Sequence, residues 1–431
     1  MVQIITLDML QSAGIGAIAL LLGMFMTRKI AWLQKFCIPS PVSGGIVFSL
    51  LTLGIYKICG IEVTFDGTLK DAFMLAFFTS VGFQSNPKAI RQGGKTLGLL
   101  LMLLVMIIVL QNAIPLGIAK LMHINPLIGM ATGSISMAGG HGTAGGFSAV
   151  LESMGLNSAL TISMAAATFG LIAGSVIGGP IAERIIRKIL TEEHLEPKDY
   201  VIDPAMAGIE SDESTPAGHA CHISDNEHEF QQYAKATYSL LIVMAIGTVA
   251  SKLLSLTGIT FPTYFGALIV AALVRSSAEM LHMGDKLEMD KIVSVGNICL
   301  SMFLGMAMIS LKLWELEQLA APLLIILTTQ VIVMTLLAWF VAFPLLGRDY
   351  DAAVLVAGVC GFGLGATPNA MANMSAVCYK YHYTLKPFLI VPIVGAMFVD
   401  LINTGCITMF LNWISVSYTH LRAHETLSDL V

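Results

Sequence analysis

The stretch Gly139-Gly-His-Gly-Thr-Ala-Gly-Gly146 lies inside a long apolar segment, and a second glycine-rich stretch, Gly361-Phe-Gly-Leu-Gly-Ala-Thr-Pro-Asn369, lies inside another. Glycine weakens a helix and allows other groups to come close to the backbone. At bilayer depth, unwound backbone is tolerated only where it is buried in protein or lines a water-filled cavity. Two such breaks at corresponding places in two halves of a chain indicate the binding site of a secondary transporter.

The composition is that of a membrane protein. The 431 residues are 56% hydrophobic and 12% charged, with a mean hydropathy of +0.79, whereas soluble domains carry about 25% charged residues. The net charge of −5 and the lack of a basic tract give no indication of a nucleic-acid partner. The seven cysteines are scattered, which argues against a disulfide framework. The N-terminus lacks the basic region of a cleaved signal, so we expect a retained first span.

The apolar segments predict an all-α polytopic membrane protein, because a span needs about 20 apolar residues. The predicted spans are 8–27, 42–60, 72–86 (short), 97–119 and 157–182 in the first half, and 236–256, 261–281, 292–311, 321–346 and 388–414 in the second. Two further apolar stretches, near 127–150 and 351–377, contain the glycine motifs. We expect each of them to form a re-entrant hairpin between the fourth and fifth spans of its half.

A constant offset of 223 residues aligns the two halves and predicts an internal repeat. The matched positions are Ile38–Val47 with Phe261–Val270, Gly82 with Gly305, and Gly140–Gly142 with Gly363–Gly365. Because each repeat has an odd number of spans, the second is inverted relative to the first. The predicted domains are a five-span repeat at 1–189, a cytoplasmic linker at 190–232 and a second five-span repeat at 233–415. Chance alignment of two glycine-rich apolar stretches is the alternative.

Lysine and arginine in the loops predict the orientation, since cytoplasmic loops carry an excess of both. With the N-terminus outside, 17 of these residues lie inside and five lie outside, leaving out Arg422. The five are Lys57, Lys70, Lys120, Lys252 and Lys312. Both termini are therefore expected outside, with the central loop in the cytoplasm. The two hairpins would then enter from opposite faces and meet near the midplane.

Two polar stretches are not part of the predicted transport site. The central loop is acidic, and we interpret it as a flexible linker. A metal site is the weaker alternative because the spacing of its candidate ligands matches no standard zinc pattern; these are His219, Cys221, His222 and His228.

The tail Val416–Val431 resembles the translated read-through of a sequencing adapter, and we expect residues 416–431 to be non-native.

The shared element of the two glycine motifs is the backbone, because Leu364 occupies the position of His141 in the second motif. A hairpin tip offers N–H groups where a half-helix begins and free carbonyls where one ends, which favour carboxylates and Na⁺ respectively. Close helix packing is the alternative role for the glycines, and a structural role is the alternative for His141. The candidate substrate-binding residues are Gly140, His141, Gly142, Thr143, Gly363, Gly365, Thr367, Asn369 and Asn373.

Asp400 is the acidic residue that lies deep in a long apolar span, and Asn403 follows one turn later on the same face. A carboxylate at that depth costs about 2.5–3.5 kcal/mol on insertion scales, so it requires a partner. We expect the pair to bind Na⁺; hydrogen bonding of Asp400 to the second hairpin's N–H groups is the alternative. No acid occupies the matching region of the first half, so the hairpins are not expected to be equivalent.

Several other polar residues lie in or near the spans. Back-bonding to their own helix is the favoured role of Ser134 and Ser136, which are weaker site candidates. Interhelical hydrogen bonding is the favoured role of the side-chain amides. These amides belong to Gln84, Asn86, Gln111 and Asn112.

Together with the glycine motifs, the strings Met74–Phe78, Leu311–Glu315 and Tyr350–Leu355 resemble the bacterial sodium/glutamate symporter family. The resemblance covers residues 5–412, and the family's pore-loop strings correspond to Gly139–Thr143 and Gly361–Pro368. It implies Na⁺-coupled uptake of L-glutamate across the inner membrane, with no cofactor besides Na⁺ as the coupling ion. It also implies two inverted repeats of five spans with pore-loop hairpins, and a homodimer.

Alternating access is the expected mechanism, with one repeat's hairpin and neighbouring spans moving relative to the rest. Within transport, the alternative is a symporter for another dicarboxylate or hydroxycarboxylate, which the same backbone anion sites could bind. From a different class, an ion channel also uses re-entrant loops. An intramembrane enzyme is the least favoured hypothesis, because the spans contain no HExxH motif, nucleophile elbow or paired carboxylates.

Overall fold

The fold is that of a computed structural model, which describes residues 3–36, 38–85, 94–193, 223–256, 261–281, 283 and 287–428. Of the described residues, 84% are helical. Seven of the described helices are long and apolar enough to cross a membrane. The molecule is therefore a helical, multi-pass membrane protein, as the composition predicts.

The described part of the first half contains eight helices and two short strands. In chain order these are β1 (Gln3–Leu7), α1 (Met9–Lys29), α2 (Ala31–Lys35), α3 (Ser40–Cys59), β2 (Ile61–Phe65), α4 (Thr68–Phe83), α5 (Gly94–Leu121), α6 (Pro126–Ala131), α7 (Gly140–Ser153) and α8 (Ala159–Glu193). A run of turns at 132–139 separates α6 from α7. The first glycine motif therefore lies where an apolar segment is interrupted.

The second half has nine described α-helices and three short segments of other helical type. In order these are α9 (Ile223–Ser255), α10 (Phe265–Met280), α11 (Met289–Ile309), a 3₁₀ helix (Leu313–Leu319), α12 (Ala320–Leu337), a π-helical segment (Ala338–Ala342), α13 (Phe343–Leu346), α14 (Tyr350–Leu364), α15 (Thr367–Lys380), α16 (Leu385–Ile393), a second π-helical segment (Val394–Phe398) and α17 (Val399–Ser428). The break between α14 and α15 is only two residues long and coincides with the second glycine motif.

Local sequence signals explain where several helices begin and end. Helix α1 starts at a capping box, in which the Asp8 side chain accepts from the Gln11 backbone N–H and the Gln11 side chain accepts from the Asp8 N–H. Helix α3 ends at Gly60, whose φ of +67° is the left-handed conformation that glycine adopts without strain. Asp349 caps α14 by accepting from the N–H of Ala352 at 2.7 Å.

The predicted spans match described helices, with three differences. The short prediction 72–86 and the prediction 261–281 correspond to helices of 16 residues each, α4 and α10. The prediction 388–414 corresponds to α16 and α17, which the π-helical segment Val394–Phe398 joins. Helices α8 and α9 extend into the predicted linker 190–232, because α8 continues to Glu193 and α9 begins at Ile223. The alternative metal site in that linker, and Asn86, lie outside the residues whose side chains are described.

The all-α prediction misses a small parallel sheet. Strands β1 and β2 pair from Gln3 opposite Ile61 to Leu7 opposite Phe65. The sheet is tied to the second half by an ion pair of 2.7 Å between Glu62 and Lys312. The hydrogen bond from Lys312 to Glu62 raises the pKa of the lysine. Strand β1 does not alternate apolar and polar residues, whereas β2, Ile61-Glu-Val-Thr-Phe65, does, so β2 had a period-2 strand signal that the span assignment overlooked.

The helices pack mainly within two groups, each drawn from both halves of the chain. We call the first group the frame body: α1, α3, α4, α9, α10 and α11. We call the second the hairpin body: α5–α8 and α12–α17. In each half, the first three predicted spans belong to the frame body, and the last two spans and the interrupted segment belong to the hairpin body. The glycine motifs are thus both in the hairpin body.

Glycines permit the close crossing of α1 and α3 in the frame body. A Cβ on Gly44 would lie 1.8 Å from the carbonyl oxygen of Ala19, and a Cβ on Gly23 would lie 1.8 Å from that of Ser40. Both obstacles are backbone atoms, which cannot rotate away. Small residues at such crossings are the usual means of bringing membrane helices together. The crossing therefore requires glycine at both positions.

We predict that Gly44→Ala destabilises the protein, since the added methyl group forces α1 and α3 apart. Overpacking of this kind costs about 1–3 kcal/mol. Gly54→Ala is the matched control on the same helix, because a Cβ there meets nothing within 4 Å. Thermal unfolding of the two purified variants is the measurement. Equal melting temperatures for both would contradict the packing described for α1 and α3.

Candidate functional site

The two glycine motifs touch each other in the hairpin body. Gly140, the first residue of α7, has a φ of +58°, a conformation that side chains disfavour. A Cβ on Gly140 would lie 2.9 Å from the carbonyl oxygen of Gly365, the residue that ends α14. The backbone breaks of the two halves are therefore in contact. The sequence predicted this meeting from the orientation of two hairpins.

The approach to the first break is held by side chains from neighbouring helices. Asn112 of α5 accepts from the backbone N–H of Ser134 at 3.1 Å and from its hydroxyl at 2.9 Å. The Ser136 hydroxyl donates to the carbonyls of Ala131 at 2.5 Å and Ser163 at 2.8 Å. The prediction of back-bonding to the residues' own helix misses these partners on α5 and α8. Both serines are buried structural groups of the turn.

The second break is closed by contact between α14 and α15. A Cβ on Gly361 would lie 2.4 Å from the backbone N and Cα of Ala370, so the two helices pack backbone to backbone. The carbonyl of Gly363 accepts from the Gln111 side-chain amide at 2.5 Å. This bond confirms the interhelical role predicted for Gln111. Close packing, the alternative proposed for the glycines, thus applies to Gly361.

The asparagines after the second break hold α15 against α8. Asn369 Nδ2 donates to the carbonyl of Leu171 at 2.8 Å and lies 3.0 Å from the Ser175 hydroxyl. Asn373 Nδ2 donates to the carbonyl of Gly174 at 3.0 Å. The Asn369 Oδ1 is buried without a hydrogen-bond partner among the described residues. The amide donors of both candidates are therefore used within the protein, whereas this oxygen is available.

The remaining candidate of the second motif, Thr367, lies at the start of α15. It is half-buried and packs against the π-helical segment, where a Cβ on Gly395 would lie 2.1 Å from its hydroxyl. Gly365, two residues before it, lies close to the Asn369 amide, since a Cβ there would be 2.9 Å from the amide nitrogen. Both residues border the point where the two breaks meet.

Asp400 lies in the first turn of α17 and faces the first hairpin. Its Oδ1 accepts from the Thr143 hydroxyl at 3.4 Å. Asn403, one turn later, donates from Nδ2 to the carbonyl of Ser134 at 3.0 Å. Both described contacts are with the first motif region, whereas the alternative role for Asp400 invoked N–H groups of the second hairpin. The structure brings Asp400, Asn403 and Thr143 together in one cluster.

His141 and Gly142 point away from that cluster. The His141 Nε2 lies 3.0 Å from the Thr168 hydroxyl of α8, and the ring is buried. A Cβ on Gly142 would lie 3.3 Å from the ring of Phe77 in the frame body. The described contacts give His141 a structural role in holding α7 to α8. They place Gly142 at the contact between the two bodies.

Sequence reasoning missed two groups that the structure places at the site. Gln330 donates to the carbonyl of Gln111 at 2.9 Å; that carbonyl has no helical partner because the residue four positions on is Pro115. Tyr264 is fully buried, with its hydroxyl next to that of Thr404 and within electrostatic reach of Asp400. Two features of the sequence could have identified these groups. Pro115 leaves the Gln111 carbonyl in need of a partner such as Gln330, and Tyr264 lies at the start of an apolar span.

Apolar spanning helices, two interrupted helical segments in contact and buried polar groups around their meeting point define a membrane transporter, not an enzyme. The family model described as Sodium/glutamate symporter matches residues 5–383. The chain belongs to the sodium/glutamate symporter family.

Named relatives extend the similarity over nearly the whole chain. The sodium/glutamate symporter of Escherichia coli (strain K12) is 38% identical over 407 residues, which are 94% of this chain and 98% of that protein. The symporter of Haemophilus influenzae is 35% identical over 402 residues, with 93% and 96% covered. Among solved structures, the sodium proton antiporter MjNhaP1 from Methanocaldococcus jannaschii matches with a TM-score of 0.42 and 15% identity, covering 93% of this chain and 94% of that one.

We predict that Gly140→Ala opens the contact between the two breaks. The left-handed backbone costs an alanine about 1–2 kcal/mol, and the methyl group displaces the Gly365 carbonyl. Hydrogen exchange should therefore rise in the peptide that contains Gly365, which lies 225 residues away in the sequence. Gly98→Ala on α5 is the control, since a Cβ there meets nothing within 4 Å. Unchanged exchange around Gly365 in the Gly140 variant would show that the breaks do not touch.

Proposed function

We propose that this protein is a secondary active transporter that takes up L-glutamate with Na⁺ across the bacterial inner membrane by alternating access. The observation that carries the proposal is the contact between the two interrupted helices beside Asp400. Family membership supports both the substrate and the coupling ion, because the relatives bear the name sodium/glutamate symporter.

Two helix N-termini at the breaks suit an anionic substrate. Helix α7 begins at Gly140 and α15 begins at Thr367, and each has 14 residues. The first turn of a helix presents unpaired N–H groups and a partial positive charge, which favour carboxylates. L-Glutamate has two carboxylates, so one could face each helix start. The proposed substrate-binding set is the one predicted from sequence without His141, whose described contact is with α8. Gly140, Thr143 and Gly365 lie nearest the meeting point of the two breaks.

Asp400 and Asn403 are the proposed Na⁺ ligands. A carboxylate and side-chain oxygens are the ligands that hard cations prefer. The single described hydrogen bond to Asp400 is long, at 3.4 Å, so the carboxylate keeps capacity to bind a cation. Glutamate carries a net charge of −1 against an inside-negative potential, which opposes entry by about 2.3 kcal/mol per 100 mV. One accompanying Na⁺ makes the step electrically neutral, and two make it driven by the potential.

The order of the helices supports the inverted repeats. The offset of 223 that aligns the sequence also carries α3 onto α10 and α4 onto α11, with ends that agree to within three residues. It carries the α6–α7 segment onto α14–α15, and α8 onto α16 and α17. Both interrupted segments thus have the same place in their halves. Their re-entrant path through the bilayer is part of the proposal.

The described ion pairs support the proposed assignment of the loops to two opposite faces, while the loop charges carry the proposal of which face is cytoplasmic. Lys57 with Glu317 and Lys312 with Glu62 join residues that the loop charges assign to the periplasmic side. Lys380 with Glu183, and Lys291 with Glu229, join residues assigned to the cytoplasmic side. Periplasmic termini, a cytoplasmic central loop and the 190–232 linker remain proposals. The homodimer remains a prediction from the family resemblance.

The packing favours movement of the hairpin body as a unit, whereas the sequence analysis expected one repeat's hairpin and its neighbouring spans to move. The helices do not group by repeat, since each repeat contributes to both the frame body and the hairpin body. The hairpin body contains both glycine motifs and Asp400. Movement of this body relative to the frame body would carry the complete proposed site, and one repeat moving alone would divide it. We therefore propose that the two bodies move relative to each other.

We predict that Asp400→Asn weakens the Na⁺ dependence of glutamate uptake, because the amide removes the charge that the proposed cation neutralises. The measurement is accumulation of labelled L-glutamate in proteoliposomes with and without an inward Na⁺ gradient. We expect at least a tenfold loss of Na⁺-driven uptake, the equivalent of about 1.4 kcal/mol. Asp71→Asn is the control, since Asp71 is an exposed carboxylate in the first turn of α4.

Three outcomes of this experiment would contradict the proposal in different ways. Wild-type accumulation that ignores Na⁺ would exclude Na⁺ coupling. Uptake of citrate or malate in place of glutamate would identify a different carboxylate symporter. A variant with the full Na⁺ response of the wild type would exclude Asp400 from the cation site.

A further inference from the structure

Three buried side-chain oxygens near Asp400 have no hydrogen-bond partner among the described residues: Asn403 Oδ1, Thr404 Oγ1 and the Tyr264 hydroxyl. All three residues are fully buried. Buried polar atoms are almost always hydrogen-bonded, so each exception requires an explanation. Three exceptions in one cluster beside a carboxylate indicate a common cause.

The cluster combines oxygens that can only accept, those of the Asp400 carboxylate and the Asn403 amide, with two hydroxyls whose lone pairs have no described partner. The Asn403 Nδ2 donates to the carbonyl of Ser134, so this contact does not use Oδ1. The lone pairs of Oδ1 therefore have no described partner. The Thr143 hydroxyl already donates to Asp400. Thr404 follows Asp400 by four residues and so lies on the same face of α17. A cation satisfies such oxygens together, and a single carboxylate balances a single positive charge.

Tyr264 belongs to the other body. It precedes α10 in the frame body, whereas Asp400, Asn403 and Thr404 lie on α17 in the hairpin body. Its hydroxyl lies next to that of Thr404, without a hydrogen bond of normal geometry, and within electrostatic reach of Asp400. The cluster of unpartnered oxygens therefore spans the contact between the two bodies.

The tyrosine ring is fixed from both sides. It stacks on Phe78 with ring centroids 3.7 Å apart and an interplanar angle of 10°. On the other side, a Cβ on Gly146 would lie 2.4 Å from the ring, so only glycine leaves room for it on α7. These ring contacts fix the position of the hydroxyl oxygen relative to both bodies. Gly146 thus makes room for Tyr264, whereas a Cβ on its neighbour Gly145 would lie 2.3 Å from the ring of Phe303.

We infer that Tyr264 and Thr404 are further ligands of the coupling cation, and that Tyr264 makes the cation site complete only when the two bodies are in the arrangement described. The inference rests on the proposed function, whose Na⁺ it places. Bound Na⁺ would join the bodies through Asp400, Asn403 and Thr404 on one side and Tyr264 on the other. Movement of the hairpin body would withdraw the tyrosine oxygen and weaken the site. Cation affinity and the relative position of the bodies would then depend on each other.

The test uses Tyr264→Phe, which keeps the stacked ring, and Thr404→Val, which keeps the shape of the side chain. Na⁺ binding is measured without substrate, as the rise in melting temperature of the purified protein in NaCl over choline chloride. Each variant should raise the half-saturating Na⁺ concentration roughly three- to tenfold, as expected for the loss of one neutral polar contact. Thr404→Ser should retain the wild-type response because it keeps the hydroxyl.

Matched controls remove a tyrosine or threonine hydroxyl elsewhere. Tyr238→Phe changes an exposed residue of α9, and Thr329→Val changes a hydroxyl that bonds only within α12 among its described contacts. Both should keep the wild-type Na⁺ response. If Tyr264→Phe does not fold, Thr404→Val and Thr404→Ser decide the question alone.

The outcomes separate this inference from the proposed function. A Na⁺ response in Tyr264→Phe or Thr404→Val equal to that of the wild type would overturn the assignment of that residue. A wild type that choline and Na⁺ stabilise equally would overturn the cation site as a whole. A wild type that is stabilised by Na⁺ but accumulates no glutamate would uphold the site and contradict the proposed substrate.

Discussion

The rest of the structure depends on the approach of two interrupted backbones, where Gly140 lies beside the carbonyl of Gly365. Inside a membrane, every N–H and C=O group must find a partner within the protein, so a broken helix is stable only when others enclose it. Here each break is enclosed partly by the other. The left-handed Gly140 and the short break after α14 allow the contact, and side chains would prevent it.

Side-chain amides satisfy the groups that the breaks and prolines leave open. Gln111 binds the carbonyl of Gly363, Asn403 binds that of Ser134, and Gln330 binds the carbonyl of Gln111 that Pro115 releases. Each of these amides comes from a helix other than the one it stabilises. Buried amide bonds of this kind contribute about 0.6 kcal/mol each on average in a membrane protein. Their main effect is to fix where the two breaks lie, which leaves a few oxygens around Asp400 free.

Sequence alone predicted the elements and the breaks, because hydropathy and glycine content are local signals. It also predicted that Asp400 needs a partner, but not that Thr143 is the described one, since a contact across 257 residues leaves no mark in the spacing. The pairing of β1 with β2 was missed for the same reason, although the alternation of β2 itself was visible in the sequence. His141 was left open between two roles, and its partner Thr168 could be found only from the packing of α7 on α8. The division into frame and hairpin bodies likewise depends on contacts between the halves.

The most direct measurement is a cryo-electron microscopy structure of the protein with Na⁺ and L-glutamate bound. The account predicts glutamate density between the starts of α7 and α15, with its carboxylates on their N–H groups and a cation beside Asp400. It also predicts that Gly140 and Gly365 remain adjacent. Ligand density confined to the frame body, or to the outer surface of either body, would contradict the claim that the two breaks together form the transport site.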